Sequence, residues 1–226
     1  MQRRYYEAYD DRYRQIHSQA LQWFHDAPSP IVKETITKYG ITKDQSILEI
    51  GCGEGRDAAP LLEEGYHLTA SDISTEAVRF CRERWPRYAD SFQILDCIRS
   101  TDAASYDFIY AVAVLHMLVP DSDREAFYRY FYGHLSDNGI GLICTMGDGM
   151  TERCSDIRNA FDLQPRVHEQ TGRSVYIAST SCRMVTWETF RDEIARSGLH
   201  LLDMGITAVE PDFPKMMYAV IRKGGY

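Results

Sequence analysis

A short apolar run that breaks into three closely spaced glycines constrains this chain more than any other part of its sequence. Residues 47–50 are apolar except for Glu49, which is typical of a buried parallel strand. Gly51, Gly53 and Gly55 follow, and an apolar helical pattern begins shortly after them. Glycines permit a tight turn and let the backbone approach a bound molecule closely. The succession of strand, glycine turn and helix therefore predicts a ligand-binding element at the edge of an open α/β sheet.

The spacing of the glycines and the acid before them narrow the class of ligand. The glycines read Gly-x-Gly-x-Gly, whereas dinucleotide binders carry Gly-x-Gly-x-x-Gly, which brings a pyrophosphate to a helix N-terminus. Glu49 lies in the strand just before the first glycine. A buried carboxylate is costly unless a cation or hydrogen-bond donors meet it, so we expect Glu49 to face the ligand. An acid here favours a ligand with a positive group over one with phosphates.

Two stretches of the chain resemble one protein family. The segment Glu49-x-Gly51-x-Gly53-x-Gly55 resembles motif I of the class I S-adenosylmethionine-dependent methyltransferases. The run 106–118 is similar to a second stretch of that family, written YDxIxxxxVLxxL. The resemblance implies an α/β fold with a Rossmann-like seven-stranded sheet. Its strand order would be 3-2-1-4-5-7-6, with strand 7 antiparallel and helices on both faces.

We expect a single methyltransferase domain over residues 1–226, with two additions to the sheet. Residues 1–40 have the periodicity of two helices and, by the resemblance, would form an N-terminal helical lid; simple packing of a helix on the domain is the alternative. Residues 147–183 resemble the family least and would form a substrate-side insertion after strand 5. The last two predicted strands, 199–207 and 216–223, are joined by a short connection and must be antiparallel.

The resemblance places S-adenosyl-L-methionine, and its product S-adenosyl-L-homocysteine, at the carboxyl ends of the first three strands. Glu49 and the three glycines, with Cys52 between them, would hold the methionine part. Asp72 ends the second predicted strand, where a carboxylate can accept hydrogen bonds from two ribose hydroxyls. A helix N-cap is the alternative role for Asp72. Ile73 would lie against the adenine.

Further cofactor contacts are expected from the third and fourth strands and from the lid. Asp96 ends the third predicted strand. In the family, the matching acid binds the adenine amine and the next residue, here Cys97, donates a backbone N–H. An ordinary loop aspartate is the alternative for Asp96. Ala111 and Val112 would line the methionine part, and Tyr13 of the lid would face the cofactor.

Candidates for the substrate side come from three places. His116 is a possible general base near the methyl group; shaping the pocket or capping the next helix are the alternatives. The residues expected to bind substrate are Tyr9, Asp148, Arg166 and His168. The insertion contains five arginines and no lysine, which favours bidentate recognition of a carboxylate or phosphate. Surface ion pairs with the acids of the same segment are the alternative.

Composition and charge argue against several partners. The formal net charge of −8 disfavours a nucleic acid or an anionic membrane, since either requires a basic face. No apolar run approaches the roughly 20 residues of a membrane span, and the start of the chain lacks the apolar core of a signal peptide. The six cysteines form no CxxC pair or His/Cys cluster, so we expect thiols in a reducing cytoplasm and no bound metal.

The sequence thus predicts an enzyme that transfers the methyl group of S-adenosylmethionine to an O, N or S nucleophile of a small molecule by in-line displacement. Two other classes stay open. A nicotinamide-dependent oxidoreductase would also place Asp72 on a ribose, although the glycine spacing and the closing pair of strands disfavour it. A non-catalytic S-adenosylmethionine-binding or regulatory protein would keep the same cofactor residues. The acceptor and the oligomeric state do not follow from the sequence.

Overall fold

The computed structural model describes residues 3–224. The helices in this part of the chain are α1 (Ala8–His17), α2 (Pro30–Tyr39), α3 (Ala58–Glu63), α4 (Thr75–Arg84), α5 (Asp121–His134) and α6 (Trp187–Arg196). The strands are β1 (Ile47–Ile50), β2 (Leu68–Asp72), β3 (Phe92–Ile94), β4 (Tyr106–Val112), β5 (Leu135–Met146), β6 (Arg153–Cys154), β7 (Leu163–Val167), β8 (Ser174–Ala178), β9 (Arg183–Met184), β10 (Leu199–Val209) and β11 (Phe213–Lys223). Among these helices, none has the length and apolar character needed to cross a lipid bilayer.

Seven of the strands form one sheet in the order β10-β11-β5-β4-β1-β2-β3. The five strands β3, β2, β1, β4 and β5 run parallel to one another. The strand β11 is antiparallel to both of its neighbours, β5 and β10. Numbered within this sheet alone, the order is 3-2-1-4-5-7-6 with an antiparallel seventh strand. The predicted fold class is therefore confirmed.

Apolar side chains hold helices against both faces of the sheet. The strand β1 is buried along its whole length, as a central parallel strand requires. On one face, α5 and α6 contribute Phe127 and Phe190 to the core. On the other, α2, α3 and α4 contribute Ile36, Leu61 and Val78. Because both faces are covered, the open place for a ligand is the edge where the parallel strands end.

The N-terminal segment departs from the predicted pair of helices. The helix α1 ends at His17, whereas the apolar spacing predicts a helical face that continues to Trp23. The backbone N–H groups of Trp23 and Phe24 instead donate to the carboxylate of Glu54, in the turn after β1. These N–H groups therefore cannot donate to helical carbonyl oxygens. A contact with a residue distant in sequence thus outweighs the helical spacing of the apolar residues.

The segment between β5 and α6 forms two small antiparallel sheets. The strand β6 pairs with β9, and β7 pairs with β8. The β7–β8 hairpin packs on α1 through Val175 and Ile177, which contact Ile16. Arg12 of α1 donates a hydrogen bond to the carbonyl oxygen of Ala178 at 2.9 Å. The hairpin and α1 therefore stabilise each other beside the edge of the sheet.

Candidate functional site

A cavity lies at the carboxyl ends of the central parallel strands. The turn after β1, the residues after β2 and β3, and the N-terminal segment all contribute to its wall. The predicted residues that line it are Tyr9, Tyr13, Glu49, Gly51, Cys52, Gly53, Asp72, Ile73, Asp96, Cys97 and Val112. Residues that are far apart in sequence are thus brought to one cavity.

The glycine turn combines a left-handed backbone with close packing. Gly53 has a φ of +52°, and a Cβ on it would lie 2.6 Å from the hydroxyl oxygen of Tyr13. Gly55 has a φ of +78°, and a Cβ there would lie 2.5 Å from the ring of Trp85. Gly53 lines the cavity, but Gly55 does not. Gly55 thus packs closely against Trp85, and the cofactor contact predicted for it stays a prediction that the cavity lining does not support.

Asp72 is a buried carboxylate at the end of β2, with 8% of its surface exposed. One carboxylate oxygen accepts the N–H of Gly53 at 2.9 Å, and the other accepts the N–H of Ser74 at 2.8 Å. Burial raises the pKa of Asp72 to about 6, and these hydrogen bonds oppose part of the rise. Ser74 is the N-cap of α4, since its side chain accepts the N–H of Ala77. The alternative role of Asp72 as that cap therefore does not hold.

Asp96 follows β3 and faces the same cavity. One of its oxygens accepts the N–H of Ile98 at 3.0 Å, and the other accepts the hydroxyl of Tyr6 at 3.1 Å. Tyr6 also lines the cavity, although it lies outside the predicted set of site residues. Tyr6 could have been predicted from its position three residues before Tyr9, because side chains at that spacing share a helical face.

Two buried polar atoms on this cavity have no hydrogen-bond partner within residues 3–224. They are Oε2 of Glu49 and Nε of Arg56, the second of which lies 3.8 Å from a carboxylate oxygen of Asp57, an ion-pair distance without a hydrogen bond. Burial, reinforced by the nearby carboxylate of Asp57, raises the pKa of Glu49 well above its usual value. An ammonium group beside Glu49 and a carboxylate beside Arg56 would supply the missing partners. The free amino-acid end of a ligand carries both groups, so this end of the cavity fits such a moiety.

Ala111 and Val112, the two residues predicted to line the methionine part of the cofactor, lie at the end of β4 and point to opposite faces of the sheet. Val112 lines the cavity, whereas Ala111 is fully buried in the core on the side of α5 and α6. Successive residues of a strand point to opposite faces, so only one of the pair can face the ligand. The prediction for Ala111 is corrected accordingly. Ala113 and Val114, just beyond the strand, line the cavity together with Val112.

Polar contacts attach the N-terminal segment to α4 and to the glycine turn. Asp10 accepts hydrogen bonds from Oγ of Ser74 at 2.7 Å and from the N–H of Glu76 at 3.0 Å. The ring of His17 contacts Glu76 at 2.8 Å and Glu54 at 2.9 Å. Burial lowers the pKa of His17, but its hydrogen bonds to the two carboxylates outweigh burial and raise it. The segment is thus joined to two elements that border the cavity.

A second cavity adjoins the first. The two have Tyr9, Phe24, Met117 and Phe213 in common. The predicted substrate-side residues that line the second cavity are Tyr9, His116, Arg166 and His168. Asp148 lines neither cavity, because its carboxylate accepts the N–H groups of Met150 and Thr151 and closes a local turn. The substrate contact predicted for Asp148 therefore stays a prediction that the cavity lining does not support.

Two residues of the second cavity, Tyr9 and His168, make hydrogen bonds to other parts of the protein. The hydroxyl of Tyr9 donates to the carbonyl oxygen of Ser181 at 2.8 Å. The ring nitrogens of His168 contact the carbonyl oxygen of Gln22 at 2.5 Å and the hydroxyl of Thr171 at 2.8 Å. Both side chains therefore connect the N-terminal segment or its loop to the segment that follows β5. Polar groups for a ligand must come from other residues of this cavity.

His116 lies just after β4 and is 3% exposed. Its Nδ1 has no hydrogen-bond partner among the described residues. Burial lowers the pKa of His116 to about 3, and the positive charges of Arg124 and Arg12 add to this effect. The imidazole is therefore neutral near pH 7. Such a ring can accept a hydrogen bond, but it has little tendency to take up a proton.

The sheet and the cavity at its carboxyl edge define a class I, Rossmann-like methyltransferase fold. The glycopeptide N-methyltransferase MtfA, solved with S-adenosyl-L-methionine, matches with a TM-score of 0.65 and 17% identity over 90% of this chain and 91% of that one. The 1,6-didemethyltoxoflavin-N1-methyltransferase of Burkholderia thailandensis, solved with its substrate and S-adenosylhomocysteine, matches with a TM-score of 0.69 and 16% identity over 100% of this chain and 92% of that one. At these identities, the likeness establishes the fold.

Sequence similarity leads to the same family. Residues 48–140 match the family model described as "Methyltransferase domain". Phosphoethanolamine N-methyltransferase 1 of Arabidopsis thaliana is 29% identical over 116 residues, which cover 49% of this chain and 23% of that protein. Ubiquinone biosynthesis O-methyltransferase of Rickettsia felis is 26% identical over 119 residues, 51% of this chain and 47% of that protein. The chain thus spans less than half the length of these relatives. Residues 48–140 therefore match a methyltransferase domain, in agreement with the predicted resemblance to class I S-adenosylmethionine-dependent methyltransferases.

Proposed function

We propose that this protein transfers a methyl group from S-adenosylmethionine to an oxygen, nitrogen or sulfur atom of a small molecule bound in the second cavity. The observation that carries the proposal is a pair of buried atoms without a hydrogen bond, Oε2 of Glu49 and Nε of Arg56, on the same cavity as the carboxylates of Asp72 and Asp96. Their complements are an ammonium, a carboxylate, a ribose diol and an adenine amine. S-adenosylmethionine carries all four.

Each part of the cofactor then has its own residues. Glu49 and Arg56 hold the amino-acid part, Asp72 accepts from the ribose hydroxyls, and Asp96 with Cys97 holds the adenine. Each oxygen of Asp72 accepts one backbone N–H, which leaves acceptor capacity for the ribose. When bound, S-adenosylmethionine supplies a methyl group that its sulfonium already activates.

The protein's contribution is to orient the acceptor and exclude water. The N-terminal segment acts as the lid in this proposal, since Tyr6, Tyr9 and Tyr13 line the cofactor cavity. The segment 147–183 acts as the substrate-side insertion, because Arg153 and Arg166 line the adjoining cavity. Fixed geometry and a dry site supply most of the acceleration for a donor that needs no further activation.

His116 orients the acceptor in this scheme. Its neutral ring lines the second cavity and can accept a hydrogen bond from the nucleophile there, next to Met117, which both cavities share. A general-base role for His116 stays a prediction, and a pKa near 3 gives such a base little driving force. Acceptors that are deprotonated at neutral pH, or that lose their proton to water afterwards, need no base from the protein.

The proposal includes a cytoplasmic location. Cys52, Cys81, Cys97 and Cys144 are buried free thiols. Thiols of this kind are typical of proteins from a reducing compartment.

Formation of S-adenosylhomocysteine from S-adenosylmethionine, measured against a panel of small O, N and S nucleophiles, tests the proposal. We expect turnover with at least one class of acceptor. Arg56→Gln should weaken S-adenosylmethionine binding about tenfold, the effect of losing a charged hydrogen bond. Arg79→Gln is the matched control, because Arg79 pairs with Glu76 and Glu83 on the surface. Binding of NADH alone would favour an oxidoreductase, and tight S-adenosylmethionine binding without any transfer would favour a non-catalytic protein.

A further inference from the structure

Two arginines of the second cavity have no partner in the protein. Arg153 of β6 and Arg166 of β7 both line this cavity. Neither guanidinium makes a hydrogen bond or an ion pair with another residue in the part of the chain that the structure describes. A guanidinium has five N–H donors and a fixed planar shape that matches an oxyanion. The cavity thus presents two sets of unused cationic donors.

The acids of the same segment do not account for these two arginines. Asp156 pairs with Arg158, and Arg183 pairs with Asp121 outside the segment. The alternative of ion pairs with acids of the same segment therefore holds for Arg158 and not for Arg183. Arg173 also has no side-chain partner within residues 3–224, but it lines neither cavity, so the position on the cavity is what distinguishes Arg153 and Arg166.

A third guanidinium, that of Arg12, lines the same cavity. Arg12 donates through Nε and Nη2 to Ala178, Ser179 and Thr180, but its Nη1 has no hydrogen-bond partner within residues 3–224. Burial lowers the pKa of Arg12, and the positive charge of Arg166 contributes to the same shift. The two guanidiniums are thus close enough to repel each other. An anion between them would relieve the repulsion.

The carboxylates on the same wall do not cancel this charge. Asp212 accepts hydrogen bonds from the backbone and the ring of His25, and it lies 3.5 Å from Arg56. Its charge is thus already balanced. Glu169 is the other carboxylate that lines the cavity. Three guanidiniums against one free carboxylate leave the cavity with a positive surplus, in a protein whose formal net charge is −8.

We infer that the methyl acceptor carries a negatively charged group, a carboxylate or a phosphate, which Arg153 and Arg166 bind with Arg12 behind them. This inference rests on the proposed function of the site. The body of the acceptor would lie on Phe24 and Phe213, which both cavities share. The anion is thereby held at the arginine end, and the nucleophile points towards the cofactor cavity. Charged partners of this kind fix orientation as well as affinity.

Binding of small aryl probes to the intact protein tests the inference. Benzoate, phenyl phosphate and benzyl alcohol are titrated separately, with and without S-adenosylhomocysteine, by following the intrinsic tryptophan fluorescence, to which Trp23, Trp85 and Trp187 contribute. Trp23 lies on this cavity, with the guanidinium of Arg12 5.1 Å from its ring centre. We expect at least one anion to bind about ten- to a hundredfold more tightly than the alcohol, as charged hydrogen bonds predict. Equal binding of anion and alcohol, or no saturable binding of either anion, overturns the inference.

Three single variants locate the effect. Arg153→Gln and Arg166→Gln should each weaken anion binding about tenfold and leave the affinities for benzyl alcohol and S-adenosylhomocysteine unchanged. Arg173→Gln is the matched control, because Arg173 lies in the same segment, is exposed and lines neither cavity. Anion binding that survives both cavity variants contradicts the inference. Failure of S-adenosylhomocysteine to bind, with arginine-dependent anion binding intact, would overturn the proposed function and leave the anion site standing.

Discussion

The hydroxyl oxygen of Tyr13 lies where it would be 2.6 Å from a Cβ placed on Gly53. A side chain on the N-terminal helix thus occupies the space that the missing side chain of the glycine turn leaves open. Asp72 accepts the N–H of the same glycine. Gly53 therefore lies against Tyr13 of the N-terminal segment and donates to Asp72, the carboxylate proposed to bind the ribose. It links the N-terminal segment to the proposed cofactor site.

Gly53→Ala should weaken S-adenosylhomocysteine binding on the order of tenfold, or about 1.4 kcal/mol. Its methyl group would displace Tyr13, and an alanine at positive φ costs roughly 1–2 kcal/mol of stability. Gly40→Ala is the control, because Gly40 has a φ of +66° with nothing within 4 Å of the added carbon. Calorimetry should show the affinity loss for Gly53→Ala alone. Equal affinities for both variants would separate Tyr13 from the cofactor site.

The affinity for S-adenosylhomocysteine should fall as the pH drops below about 6, the pKa of Asp72. Ribose hydroxyls donate to the ionised carboxylate, so binding requires the loss of its proton, and affinity falls up to about tenfold per pH unit below the pKa. Calorimetry from pH 5 to pH 8, in two buffers with different heats of ionisation, measures the proton release. Asp72→Asn should bind weakly throughout, with a smaller release. A flat affinity in the wild-type protein would remove Asp72 from the ribose.

His116 should make the folded protein less stable in mild acid. Its pKa is about 3 when folded and about 6.5 when unfolded. The unfolded chain therefore binds a proton that the folded one does not, and stability falls as the pH drops from about 6.5 towards 3. The slope from this group is at most about 1.4 kcal/mol per pH unit. Urea denaturation at pH 7 and pH 5 should show a smaller difference for His116→Gln. The same difference in variant and wild type would contradict the assignment.

The contacts of His17 should hold the N-terminal segment more firmly at low pH than at high pH. Its folded pKa is raised above 6.5, so its stabilising effect is complete below 6.5 and is lost as the pH rises through the folded value. Hydrogen-exchange protection factors of Trp23 and Phe24, whose N–H groups donate to Glu54, report on this. His17→Gln should lower them in mild acid, whereas His67→Gln, an exposed site, should not. Protection factors of Trp23 and Phe24 that do not change with pH would contradict a role of His17 protonation in holding the N-terminal segment.

The glycine turn, the strand order and most residues that line the first cavity could be predicted, because they follow from local patterns of apolar residues and glycines in the sequence. A buried apolar run followed by glycines specifies a strand and turn wherever it occurs in an open sheet. The aspartates that end β2 and β3 reach the cavity because parallel strands end at one edge. To choose between Ala111 and Val112, one must know which alternate residues of β4 point to which face of the sheet, and a sequence motif does not give this.

The residues that were missed are those whose roles depend on contacts distant in sequence. Arg56 follows the glycine turn without a motif of its own, and its place is evident only from an unpartnered Nε on the cavity. Arg12 reaches the second cavity because α1 packs against the β7–β8 hairpin. The end of α1 at His17 is set by Glu54, which lies 37 residues further along the chain. Such long-range contacts leave little trace in periodicity.

Calorimetric titration of the protein with S-adenosylhomocysteine tests the central claim most directly. We predict saturable binding of one molecule per chain, weakened by about 1–3 kcal/mol in Asp72→Ala, which strands the two ribose hydroxyls. An absence of saturable binding, or an affinity that Asp72→Ala leaves unchanged, would contradict the assignment of the cavity at the end of β1, β2 and β4 to this cofactor.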